Sequence, residues 1–521
     1  MTLKAAILAA VLAAFLPGCA GAQTTADREA VSESNWPRVT VLADLGPRQF
    51  AKEAHGTFGG RKMRYRATLS EMIVKDRNGR PASSLFITSF VETAAAPRKR
   101  PVIFLFNGGP GAAANTLMFG AFGPQRLERF DSSAQADPAT PLVPNGDSVL
   151  DVADLVFIDA PETGYGQPLP GTDPRTFRSS DGDSSAFTQI ILRWLTDQRR
   201  LGDDVYVAGE SYGTLRAVSL ARDLAAAAPR VDISGIIMIS QAITYNGPAS
   251  LGVRNLPNPV TAATRLQDIA ALAWYHGLLD NRRISLGQAI EAARSFALHE
   301  YAPALLEGNR LAAAERIRIA DGLATVTGVP ARTWLDGNLH LDHPRRQMLK
   351  DRGLALAQFD GRETEALANI PRDEDRDWTA AVRGLSSASE RFNFEMFGQD
   401  LGEYRTLVPD PYGFELTWTY IQPPAPGLDI VLKEQMQANP KLRLMVTQGV
   451  FDTSSSMGAT DYLFSQLGAS PERATMVLYG GGHMLYSDRE GREAFTADVR
   501  AFVTGRTLVS RGYPTVAPAA R

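Results

Sequence analysis

Between Asp203 and Ala228 the apolar run VYVAG passes into Gly209-Glu210-Ser211-Tyr212-Gly213 and directly on into TLRAVSLARDLAAAA. No other feature limits the fold as much. The run reads as a buried strand, and the stretch after the glycines reads as a helix. A strand that turns this sharply into a helix is the repeating unit of a parallel α/β sheet. Gly-x-Ser-x-Gly in that setting makes an elbow: the tight turn lifts the serine oxygen above the sheet, and the glycines leave room for strained backbone. Ser211 is therefore the expected nucleophile.

The same rhythm recurs on both sides of the elbow. RPVIFLFNGG (100–109) and DVADLVFIDAP (151–161) are continuous apolar runs that end in turn residues, as buried parallel strands do. GDSSAFTQIILRWLTDQRR reads as a helix with Phe187, Ile190, Ile191, Trp194 and Leu195 on its apolar face. ISGIIMIS is another strand. After Tyr245 the rhythm breaks, and helix signals dominate residues 246–420. It returns with KLRLMVTQGVFD (441–452), a helix near 457–467, ATMVLYGGGH (474–483) and a closing helix. Residues 55–91 read as antiparallel strands around an Asn-Gly turn, and residues 23–50 as a loose polar arm. The expectation is an α/β fold with a mostly parallel central sheet, built from residues 23–245 and 421–521, and an inserted, mainly helical cap at 246–420.

Residues 1–22 differ from the rest. Lys4 precedes the apolar run AAILAAVLAAFL, which is too short to span a bilayer comfortably and is followed by small residues, as in a secretory signal. Two cleavage readings stay open. AGA before Gln23 resembles a signal-peptidase site. LPGC, ending at Cys19, resembles a lipobox in which Cys19 is acylated, although Pro17 is unusual there. Cys19 is the one cysteine, so no disulfide can form. An exported chain without disulfides suits a bacterial periplasm or outer membrane, with membrane attachment only through lipidation of Cys19. The net charge of −3 gives no basic excess for a nucleic-acid partner.

A serine nucleophile needs a base, and the base needs an orienting acid. In this elbow architecture the chain order is Ser, then Asp or Glu, then His. Asp452 ends one late strand run and His483 ends the next, so strand endings place both without reference to the serine. Asp159 also ends a strand but precedes Ser211; it reads as a loop-shaping carboxylate. His340 and His343 lack a third ligand at supporting spacing, so no metal is expected. His55, His276 and His299 read as surface or packing residues. FNGGPGAAAN (106–115) follows an early strand, and its consecutive glycines expose backbone N–H groups. Gly109 there and Tyr212, the residue after the nucleophile, are the expected oxyanion donors. One residue looks misplaced. A carboxylate, Glu210, directly precedes the serine, where its charge would oppose the oxyanion.

NGGPG, GESY, the Asp-ending strand and GGGHM stand in this order between about residues 55 and 504, and together they resemble the serine carboxypeptidases, peptidase family S10. SVLDVADLVFIDAPETGYGQ resembles the segment between loop and elbow. RLMVTQGVFDTSSS and YGGGHMLYSDREG are similar to blocks of bacterial members. The resemblance implies an α/β-hydrolase fold with a cap after the sixth core strand, no cofactor, and removal of one C-terminal residue from peptides with a free C-terminus. It also implies that Asn107, Gly108 and Glu210 bind the substrate carboxylate. A protonated Glu210 donates to a carboxylate where an ionised one would repel it, and burial raises its pKa, which implies activity favouring acidic pH. The chain departs from the family in several places. Ala121 stands where many members carry a second Glu, AAAN follows the glycine loop where serines are commoner, and SQA replaces the usual Asn-Gly after the sixth strand.

The leading expectation is an exported serine carboxypeptidase acting through an acyl-enzyme. An esterase or acyltransferase on the same scaffold is the alternative. A catalytically dead, peptide-binding envelope protein is the third, opposed by the intact Ser211, Asp452 and His483.

Overall fold

The computed structural model describes residues 47–93, 100–130, 138–243, 258–370, 378–409, 417–419 and 427–519. The segment 1–22, with Cys19, lies outside them. Among the described residues no helix is long and apolar enough to cross a membrane.

Three strands open the chain: β1 (Gln49–Phe58), β2 (Arg61–Lys75) and β3 (Pro81–Glu92). Two buried strands follow, β4 (Val102–Phe106) and β5 (Asp154–Ile158), and then helix α1 (Ser180–Asp197). The elbow joins β6 (Val205–Glu210) to α2 (Gly213–Ala226), and β7 (Gly235–Ile239) comes next. The insertion then carries α3 (Pro259–Tyr275), α4 (Leu286–Phe296), α5 (Ala313–Thr327), a hairpin of β8 (Leu354–Leu356) and β9 (Thr364–Ala366), and α6 (Trp378–Phe397). The chain closes with α7 (Leu428–Ala438), β10 (Arg443–Gly449), α8 (Met457–Leu467), β11 (Ala474–Tyr479) and α9 (Arg489–Val503).

The main sheet runs β1-β2-β3-β5-β4-β6-β7-β10-β11. The pairs from β1 to β5 are antiparallel and those from β5 to β11 parallel. This is the mostly parallel sheet of an α/β-hydrolase. β4, β5 and β7 are buried along their whole length because helices cover both faces. Side chains alternate between two cores, as strand geometry requires. Val102, Phe104 and Phe106 join α1 and α2 on one face, while Ile103 and Leu105 join α9 on the other. The expected apolar face of α1 is the buried one, and Ser179 caps it by accepting from Gly182 N. Each such side chain stabilises the fold by roughly 1.5–3 kcal/mol.

Two features depart from the sequence expectation. The arm expected over 23–50 gives way to strand at Gln49, where β1 pairs with β2 in unbroken register to Phe58. β1 is an edge strand exposed along most of its length, so it carries little apolar signal. The insertion, in turn, is not one body of helices. α3, α4 and α5 form a core of their own with Trp334, seated on Val450 and Phe451 just beyond β10. α6 instead packs on the antiparallel side of the sheet, where Phe392 meets Phe90 and Phe119 edge-on. The β8–β9 hairpin lies between these parts in sequence, and its two short strands fall below any readable period.

Candidate active site

The elbow forms as its sequence demands. Ser211 has φ 56°, a left-handed conformation rare outside glycine, at the end of β6. The strain is held from both sides: Ser211 N donates to Ile239 O of β7, and the Ser211 carbonyl accepts from Thr214 N and Thr214 Oγ1. A Cβ at Gly209 would lie 2.1 Å from the Gly213 carbonyl oxygen, so only glycine permits the turn.

Ser211 opens on a cleft of about 370 Å³ that also holds Gly109, Tyr212, Asp452 and His483. The expected acid and base meet there: His483 Nδ1 lies 2.8 Å from Asp452 Oδ2. Asp452 is further fixed by Gln448 Nε2, by the Ser455 hydroxyl and by the backbone N–H groups of Ser454 and Ser455. Burial acts to raise its pKa, but His483 and these donors outweigh burial and hold it below the usual range. Burial acts to lower the pKa of His483, yet the charge and hydrogen bond of Asp452, with the charge of Glu210, push it upward overall.

Gly109, at φ +102°, and Tyr212 both line the cleft, and Gly108 packs directly against the Tyr212 backbone. The glycine loop is braced from below. Asp159 accepts from Ala114 N (2.9 Å) and the Tyr404 hydroxyl (2.8 Å), and burial raises its pKa to about 6. Arg216 donates to the Asn107 carbonyl at 2.7 Å while paired bidentately with Asp183, both fully buried.

The other sequence-selected residues sit differently. Asn107, Gly108 and Glu210 do not line the cleft. Asn107 Nδ2 donates to Glu210 Oε1 at 2.7 Å, and the Tyr486 hydroxyl donates to Glu210 Oε2. Both carboxyl oxygens are thus engaged. Burial raises the Glu210 pKa to about 7, against the opposing pull of His483 and these two donors. Ala121 is fully buried in the turn Met118–Phe122, and the neighbouring Gly120 packs on the Tyr486 ring. His343 lines the cleft and His340 does not.

Sequence reasoning missed Tyr486 and the β8–β9 turn. His483 N donates to Phe359 O at 2.7 Å, the Phe359 ring stacks on the imidazole, and Asp360 bridges to Asp452. His276 Nε2 holds that turn at Gly361 O. No local pattern marks these residues, because each acts through a contact distant in sequence.

Residues 78–289 match the family model described as serine carboxypeptidase, Peptidase_S10. Over that stretch the chain is similar to the serine carboxypeptidases. The matched stretch contains the glycine loop and the elbow, whereas Asp452 and His483 lie beyond it. No protein of curated function matches the chain. Among solved structures, Kex1(delta)p, a prohormone-processing carboxypeptidase from Saccharomyces cerevisiae, is similar with a TM-score of 0.52 and 13% identity, covering 84% of this chain and 90% of that one. The peroxisomal α/β-hydrolase Lpx1 from Saccharomyces cerevisiae (TM-score 0.37, 10% identity, covering 90% and 93%) and a proline iminopeptidase from Mycobacterium smegmatis (TM-score 0.34, 14% identity, covering 84% and 98%) are more distant. The likeness to the carboxypeptidase structure is one of fold, the α/β-hydrolase architecture.

Proposed function

We propose that this chain is a serine carboxypeptidase that removes C-terminal residues from peptides through an acyl-enzyme. The observation that carries the reading is the His483–Asp452 pair beside Ser211 in one cleft. Ser211 Oγ attacks the scissile carbonyl, and His483 takes its proton and returns it to the leaving amine. Asp452 holds the imidazole and offsets its charge. The N–H groups of Gly109 and Tyr212 receive the oxyanion. Water, activated by His483, then releases the acyl group.

Glu210, with its pKa near 7, is largely protonated at acidic pH, so it does not oppose the oxyanion there. The raised pKa of His483 works the other way, since only neutral imidazole accepts the serine proton. The two groups interact, so activity follows a bell whose limbs belong to the pair.

A second reading, an esterase or acyltransferase, is favoured by one observation: the oxygens of Glu210 are both bonded inside the protein, behind the cleft wall. Steady-state hydrolysis of an N-blocked dipeptide, its C-terminal amide and a simple aryl ester separates the two. Preference for the free acid is the expected result. Turnover of the ester alone would replace the first reading with the second.

A further inference from the structure

The cleft has a second wall, supplied by the insertion. Arg265, Asp268, Ile269 and Leu272 line it from α3, and their spacing puts them on one face of that helix. Arg265 is partly buried; its charge acts on Asp268, one turn along α3, but among the described residues its donors make no hydrogen bond or salt bridge. The carboxylates nearest to hand are committed elsewhere. Asp268 accepts from Met457 N on one oxygen and from the Ser456 hydroxyl on the other, at the start of α8. Asp452 is filled by His483 and the Ser454–Ser455 backbone. Arg345, also in the wall, already donates to Leu356 O. A guanidinium partly withdrawn from water with its donors unanswered is matched to an incoming planar anion, which it can take in two parallel hydrogen bonds.

We infer that Arg265 is a specificity-determining residue that binds a carboxylate of the substrate. This rests on the cleft being that of a serine hydrolase, and it deepens the peptide reading. The carboxylate can be the substrate's own C-terminus or the side chain of an acidic residue next to the scissile bond. The first source would replace the clamp that Asn107 and Glu210 close upon themselves; the second would make the enzyme selective for acidic peptides.

The test compares wild type with Arg265→Met and Arg265→Lys. Substrates are N-blocked dipeptides ending in Glu or Gln, each as free acid and as amide, with p-nitrophenyl acetate as a neutral control. A selective loss of about 10–100-fold in kcat/KM is expected for Arg265→Met, the range for a hydrogen bond between charged groups. A collapse of the Glu/Gln ratio assigns the side-chain source, and a collapse of the acid/amide ratio assigns the terminal one. Arg265→Lys should retain part of the preference. Acetate ester turnover should stay within about twofold. Unchanged ratios would overturn the inference, as would equal loss on the neutral ester. If wild type cleaves the ester but no peptide, the carboxypeptidase reading fails by itself. The same comparison then runs on p-nitrophenyl hemisuccinate against p-nitrophenyl butyrate, with the anionic preference again expected to vanish in Arg265→Met.

Discussion

The two walls of the cleft are built on opposite plans. On the sheet side, Asp452 and Glu210 meet several partners each, and Ser211 is strained but pinned by β7 and Thr214. On the insertion side, α3 presents a cation with no hydrogen-bond partner among the described residues, beside apolar Ile269 and Leu272. A saturated wall can hold reacting groups in fixed geometry, which is what rate acceleration needs. An unsaturated wall has interactions left to offer a ligand. The difference assigns chemistry to the sheet and selection to the insertion.

If that division holds, substitutions on the sheet side damage every substrate and those on the insertion side discriminate. The largest effect is expected for Ser211→Ala: loss on the order of 10⁴–10⁶-fold in kcat on peptide and aryl ester alike, with fluorophosphonate labelling abolished. Retained labelling at Ser211's position in wild type but full activity in the variant would break the comparison outright. Gly109→Ala comes next. Its Cβ would sit 2.8 Å from Gly111 N at a φ of +102°, so the loop must shift. A loss of about 10²–10³-fold in kcat is expected, with KM for the aryl ester little changed.

Glu210→Gln should alter the pH profile on peptide and aryl ester alike. Glu210's charge helps to raise the His483 pKa, and a neutral amide removes that help. The His483 pKa falls, so the acid limb moves to lower pH. The alkaline limb set by Glu210 ionisation disappears. A profile identical to wild type would show that Glu210 is electrostatically silent. The smallest effect is expected for Asp268→Asn, which keeps an acceptor for Met457 N. Its stability in urea should fall by less than about 1 kcal/mol, whereas Asp268→Ala, leaving that N–H unanswered, should cost about 1–3 kcal/mol.

Much of the sheet side could be read in advance, and little of the insertion side. Asp452 and His483 follow apolar runs whose ends mark strand ends, and the elbow carries its own glycines, so each is encoded within a dozen residues. The bracing of the same site is not local. Phe359 lies 124 positions before His483 in sequence yet stacks on its ring. Tyr486 and Glu210 are 276 residues apart. The hairpin that carries Phe359 has strands of three residues, too short for alternation to register. β1 was hidden for another reason, its exposure at the sheet edge.

By itself, then, the sequence determined the parallel α/β core, the elbow at Ser211 and the order of nucleophile, acid and base, because period, turn chemistry and strand endings are local properties of the chain. Tertiary structure alone decided that Glu210 is closed by Asn107 and Tyr486, that the β8–β9 turn supports His483 and Asp452, and that Arg265 faces the cleft without a hydrogen-bond partner among the described residues. Those are outcomes of packing between segments hundreds of residues apart. Which donors are answered and which are left for a ligand depends on every neighbour that folding brings near.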